Sequence, residues 1–207
     1  MRRALTTAVK DDKTLWDAIA AGPRDFMKTH LLSSVQSASS KDLIHKMCDL
    51  LVEIAGAMYE DDETVWKPLL HLIFSLVNDA DPKKIDGGLA LLNGLFSYMI
   101  DEFADHKDEI IAIFRAKLSH PDLDIQLSTL QAVSSYIGMA QRKFIKPYRD
   151  LIPDMVKVVL NANMQDDEVV LKNALIEFNE IAEFEPKFFQ PKFKEIFVAL
   201  SPIVLKE

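Results

Sequence analysis

Paired amphipathic segments recur along this chain about every forty residues, and that repetition restricts the fold more than any single motif. Three of the second segments open alike, at Asp81-Pro82, His120-Pro121 and Gln165-Asp166-Asp167. Short polar side chains there suit helix caps, and proline suits a first helical turn because its φ is already fixed. Apolar residues then follow at spacings of three and four, the signature of one buried helix face. Along 83–103 that face reads Ile85, Leu89, Leu92, Leu95, Phe96 and Met99. After Pro121 it reads Leu123, Leu127, Leu130, Val133 and Ile137, and along 166–184 Leu171, Leu175, Phe178 and Ala182. An earlier second segment, capped at Ser39-Ser40, shows Leu43, Met47, Leu50, Ile54 and Met58. First segments fall at 25–36, where Phe26, Met27, Leu31, Leu32 and Val35 stand at helical spacing, then at 66–77, 108–118, from Lys146-Pro147 to Leu160, and from Lys192 onward. Asn93-Gly94 signals a hairpin in isolation, but it lies inside an unbroken 3.6-residue pattern, so helix is expected there.

A helix pair that cannot bury its apolar face alone must lay it on the next pair, which gives a row of pairs. The expected fold is all-α, an α-solenoid of HEAT-type antiparallel helix pairs (an armadillo-like superhelix) with about ten helices and no strands. Tetratricopeptide and ankyrin units, at about 33–34 residues, are too short for this spacing. The whole chain, 1–207, reads as one solenoid segment. Within it 1–20 is the remnant of a preceding repeat, with 1–10 ending a helix; 22–60, 64–103, 105–140 and 145–185 are pairs, and 186–207 is the first helix of a following repeat.

Hydrophobic residues make up 49% and charged residues 27%, the balance of a folded domain, and the net charge of −8 argues against a phosphate backbone as partner. The single cysteine, Cys48, excludes an intrachain disulfide and fits a reducing compartment. No apolar run reaches the roughly 18 residues of a membrane span, and the start has no signal-peptide pattern.

Residues able to do chemistry are scattered. His45 and Cys48 share a helix face at a metal-compatible spacing, but no third ligand lies near them in sequence, so no metal is expected. The other histidines, His30, His71, His106 and His120, have no nucleophile partner, and Gly87-Gly88 is a helix-interior pair rather than a phosphate cradle. No catalytic site and no cofactor are expected. The helix faces opposite the core are more informative. On 83–103 that face is small: Lys83, Gly87, Ala90, Gly94, Ser97 and Asp101; on the next second helix it is Ser128, Ala132, Ser135 and Met139. Such residues either let pairs stack closely or leave room for a ligand along a concave side. On 166–184 the face is polar, with Asn173, Glu177 and Glu180. Together with Asp101 these are the candidate protein-binding residues, an acidic strip whose alternative reading is ordinary solvated helix charge.

Particular residues resemble a known family. Val170-Leu171-Lys172, then Glu180-Ile181-Ala182-Glu183, then Pro186-Lys187-Phe188-Phe189-Gln190-Pro191 are similar to a stretch of the importin-β (karyopherin-β) superfamily, in the branch of importin five or Ran-binding protein five. Met1-Arg2-Arg3-Ala4-Leu5 and Lys46-Met47-Cys48-Asp49 resemble neighbouring text of that branch in the same order. The resemblance implies an N-terminal-region piece of a monomeric nuclear transport receptor. Its implied partners are basic cargo proteins, the Ran GTPase in its GTP form and phenylalanine-glycine nucleoporins; its implied location is cytoplasm, nucleus and the pores of the nuclear envelope. Neither nucleic acid nor membrane insertion is implied. HEAT units often carry a basic residue early in the second helix; here Gln126 and Leu171 stand near that place, with Lys84 and Lys172 as possible substitutes. The alternative function is a HEAT scaffold for an enzyme complex, such as a phosphatase regulatory subunit.

Overall fold

Helices form where the apolar stripes predict them, and short polar turns separate them. The computed structural model describes residues 8–10 and 13–205, and the chain divides into two units, Met1–Met99 and Ile100–Glu207.

The first unit opens with a correction. Residues 8–10, expected to lie in the end of a helix, are extended: β1 (Ala8–Lys10) pairs antiparallel with β2 (Lys13–Thr14). Positions 1–7 of that expectation lie outside the described residues. In sequence, the aspartates at 11 and 12 are residue types that favour turns over continuation of a helix. Thr14 and Asp17 then close a reciprocal capping box on α1 (Leu15–Ala18), with bonds of 3.1 and 2.9 Å. Trp16 of that turn is buried, and the Arg24 guanidinium lies 5.9 Å from its ring centre. There follow α2 (Ala21–Ser37), α3 (Lys41–Asp62), α4 (Lys67–Val77), which begins beside buried Trp66, and α5 (Pro82–Ala104). Asp81 accepts from Lys83 N at 3.0 Å and caps α5 as expected. The division into units falls at Met99, where α5 leaves helical geometry (φ −134°, ψ 44°).

The apolar face of α3 is displaced from the expected one. Leu43 is 51% exposed, whereas Ile44, Cys48, Leu51 and Ala55 are buried; on α2, Phe26 is 64% exposed. The cause lies on α5, whose small residues receive α3 at very short range. A Cβ on Gly87 would stand 2.5 Å from Ile44 Cγ2, and one on Gly94 would stand 2.7 Å from Val52 Cγ2. From the other side, a Cβ on Gly56 would stand 2.7 Å from the ring of Tyr98. The small-residue face of α5 therefore serves close stacking at Gly87 and Gly94. Side chains long enough to anchor a stripe in sequence are not those that fit this contact.

In the second unit α6 (Lys107–Leu118) packs on α7 (Leu123–Met139). A short α8 (Arg142–Ile145) and a 3-10 turn (Lys146–Leu151) lead into α9 (Ile152–Met164). The helix expected from Lys146 is thus delayed. Pro153, in the first turn of α9, has no N–H for an i−4 bond, and its ring would crowd the Arg149 carbonyl of a continuous α-helix. Tyr148 of the 3-10 turn is fully buried and stacks on Tyr136 at 4.3 Å. α10 (Glu168–Phe184) lies against both α7 and α9. After it, Phe188 and Phe189 are buried with Phe178, and a 3-10 turn (Gln190–Lys192) opens α11 (Phe193–Val204), which packs on α9.

The glycine contacts separate propensity from packing. Gly87→Ala adds helix propensity of about 1 kcal/mol but overpacks Ile44 by about 1–3 kcal/mol, so a net loss is expected in urea unfolding. Gly22→Ala, with nothing within 4 Å of the added Cβ, is expected to raise the midpoint.

Candidate protein-binding surface

Polar side chains join neighbouring pairs at positions about one repeat apart. In the first unit, Asp86 of α5 is 4% exposed and meets two cations of α3, Lys41 Nζ at 3.0 Å and His45 Nε2 at 2.7 Å. Lys83 Nζ donates to the Ser39 carbonyl at 3.0 Å, tying the start of α5 to the turn before α3. Lys84 pairs with Asp79 of the turn just before α5 at 3.3 Å, a bond local to that turn. In the second unit Gln126, near the place where HEAT second helices often carry a basic residue, is uncharged. Its buried amide donates to the His120 carbonyl and accepts from Asn161 Nδ2 of α9 at 3.1 Å. Lys172, the other suggested substitute, is exposed, and Leu171 beside it is half-buried.

The hydrogen bond that His45 donates to Asp86 raises the imidazole above the usual histidine range; burial opposes this, the Asp86 and Asp49 charges add to it, and Lys41 opposes it. Burial pushes the neighbouring Cys48 thiol up to about 12, with the Asp49 and Asp86 charges adding, which keeps the sulfur protonated and unreactive. Among the described residues no three of His, Cys, Asp and Glu gather to hold a metal ion. Asp86 is the partner that residue-by-residue reading missed. It stands 41 residues from His45, and the repeat period was the signal able to connect them.

The candidate strip lies in the second unit. Asp167 caps α10 by accepting from Val170 N at 3.0 Å, which sets the rotation of the helix. Asn173, Glu177 and Glu180 then fall on one side: the first two are half-buried and Glu180 is exposed. Burial raises the Glu177 carboxyl and the Glu180 charge adds, while polar groups of Ser134 and Gln131 on α7 draw it down. Asp101, exposed near the end of α5, is also close to α7: burial pushes the Tyr136 hydroxyl up, and the Asp101 charge pushes it further. Asp101 and Glu177 thus each lie near α7, Asp101 by Tyr136 and Glu177 by Ser134 and Gln131. Of the α7 face expected to border them, Ala132 is fully buried, Ser128 and Ser135 are half-buried and Met139 is 47% exposed. Beside the strip, Glu168, Leu171, Lys172, Leu175, Ile176 and Asn179 line an open groove of about 480 Å3. Shallow, mixed acidic and apolar relief of this kind suits a polypeptide better than a small molecule. No described helix is long and apolar enough to cross a membrane.

A stacked-pair fold with such a surface defines a helical-repeat binding protein, and comparison with known proteins makes the class specific. A family model described as "IPO5-like, TPR repeats" matches residues 39–199. The chain belongs to this importin-5-like family, one of transport receptors rather than enzymes. The pair spacing of about forty residues is longer than the roughly 34 of a standard tetratricopeptide unit. A probable importin-5 homolog of Dictyostelium discoideum is 20% identical over 173 residues, covering 83% of this chain and 16% of that protein. Among solved structures, Kap121p superposes with a TM-score of 0.80 at 17% identity, covering 99% of this chain and 21% of that one. Kap121p bound to Nup53p and Kap121p bound to Pho4p each give 0.75 over 93% of this chain and 20% of theirs. The fold is therefore that of a karyopherin α-solenoid, and the chain spans about a fifth of the length of these structures.

Two consequences are measurable. The His45 imidazolium is favoured in the folded state, so its stability contribution is complete below the unfolded pKa of about 6.5 and is lost as pH rises through the higher folded value. Urea midpoints should fall across that window, and Asp86→Asn should flatten the fall. Gln126→Leu strands the Asn161 amide and the His120 carbonyl, and about 1–3 kcal/mol of stability should be lost in denaturant titration.

Proposed function

We propose that this chain forms part of a nuclear import receptor, one that takes basic cargo, Ran in its GTP form and phenylalanine-glycine nucleoporins, and shuttles between cytoplasm and nucleus through the pores of the nuclear envelope. The observation that carries this reading is the family match over 39–199. Kap121p, which shares the fold, has been solved with Nup53p, with Pho4p and with Ste12p. The carboxylates Asp101, Glu177 and Glu180, with Asn173 beside them, supply the charge that a basic segment needs. Glu177 and Glu180 stand one turn apart and repel one another, and a bound cation relieves that repulsion.

The mechanism is elastic. Each helix pair touches its neighbours, so small rotations between pairs within a unit sum along the row. Two ligands that favour different rotations then compete through differential affinity rather than by sharing a site. The alternative, a scaffold subunit for an enzyme complex such as a phosphatase, is not favoured by the family match; Kap121p itself has been solved with the extreme C-terminus of a protein phosphatase, Cdc14p.

Binding of a lysine-rich peptide, followed by fluorescence anisotropy, should weaken by at least about tenfold in Glu177→Lys/Glu180→Lys, the loss of roughly 1.4 kcal/mol. An unchanged affinity removes the strip from the proposal. Capture of Ran in its GTP form but not its GDP form, by this chain or by a longer protein carrying it, supports the receptor reading; co-purification of a phosphatase instead would replace it with the scaffold.

A further inference from the structure

Segments 142–149 and 187–194 lie about one repeat apart, and the second unit brings them together into a basic edge on an otherwise acidic chain. The first holds Arg142, Lys143, Lys146 and Arg149 without a single carboxylate; the second adds Lys187, Lys192 and Lys194. One bond joins them, from the Arg149 guanidinium to the Lys187 carbonyl at 2.8 Å, and just before the second segment Glu185 Oε2 accepts from Arg142 Nε at 2.7 Å. Between the segments lies a cavity of about 180 Å3, lined by Arg142, Ile145, Lys146, Arg149, Glu185 and Lys187.

Three features say what this edge recognises. Glu185 is 7% exposed, so a carboxylate already sits at the cavity wall, held by Arg142. Arg149 keeps its Nε buried with no hydrogen-bond partner among the described residues. Lys143, Lys146 and Lys187 are exposed, and no carboxylate pairs with them among the described residues, whereas Lys192 is engaged by Glu195 at 3.0 Å. Cations are thus gathered beside a seated carboxylate with their own charge unanswered.

We infer that this edge is a docking surface for a carboxylate-rich segment, a run of Asp and Glu, on a partner protein. It is separate from the acidic strip and requires the opposite charge in its ligand. A nucleic acid fits less well: a duplex presents a charge about every 1.7 Å along a long axis, while these cations occupy one short edge of a chain whose net charge is −8.

The test is anisotropy of a labelled oligo-glutamate peptide with the whole chain at low salt, against an oligo-glutamine peptide of equal length. Oligo-glutamate alone should bind, with an affinity that falls as salt rises. Lys146→Glu/Lys187→Glu should weaken binding by at least about tenfold, and Lys146→Gln/Lys187→Gln should weaken it less. Both side chains are exposed, and circular dichroism checks that the variants keep their helix content. Arg115→Glu/Lys117→Glu on α6 changes the net charge equally and should leave binding near that of the parent. Equal loss in the α6 variant, no binding of oligo-glutamate, or tighter binding of a single-stranded RNA oligonucleotide at the same edge would each overturn the assignment.

Discussion

Everything in this structure depends on second helices lying close against one another. A helix pair of this length cannot cover both of its apolar sides, and the exposed side is satisfied only by the next pair. In the first unit the approach of α3 to α5 is set by glycine, because Gly87 and Gly94 leave no room for a methyl group beside Ile44 and Val52. In the second unit α7 and α10 also carry small residues: Ala132 and Ala174 are fully buried, and a Cβ on Gly138 would stand 3.0 Å from the Phe184 ring. Polar bonds then choose one register among the sliding positions that apolar contact alone would tolerate. Asp86 to Lys41 and His45, Gln126 to Asn161, and Arg142 to Glu185 each tie adjacent pairs.

Periodicity made the helices legible, since a stripe at three and four residues and a capping turn are local properties. α4, α6, α7 and α10 fall within a few residues of where the stripes place them. What escaped was the identity of the surfaces in contact. Leu43 looks like core and is exposed, because the register of α3 is decided by Gly87 and Gly94 on another helix. The delayed start of α9 was written locally, in Pro153, but the stripe through Leu151 and Ile152 masked it. The extended start at Ala8–Lys10 had its own local sign in Asp11-Asp12, which a helical reading passed over. Asp86 and Glu185 depend on partners about forty residues away, so only alignment of the repeats reveals them.

Charge is distributed against the average. The chain is acidic as a whole, yet its second unit sets carboxylates around α7 and cations around the turn between α8 and α9. Fields of opposite sign within one unit orient an approaching partner before contact is made, and they favour association rate and specificity over raw affinity. The half-buried Glu177 is the part of this pattern most costly to maintain without a ligand, because partial desolvation and its neighbour both oppose its ionisation.

The tryptophans carry a last implication. Both residues of this type, Trp16 and Trp66, are buried in the first unit. Indole emission from the native chain is therefore blind to the second unit, whose near-ultraviolet signature comes from the stacked ring pair of Tyr136 and Tyr148. Indole emission thus follows melting of the first unit alone, whereas tyrosine, with Tyr59 and Tyr98 in the first unit and Tyr136 and Tyr148 in the second, follows both; coincidence or separation of the two curves tells whether the units unfold together.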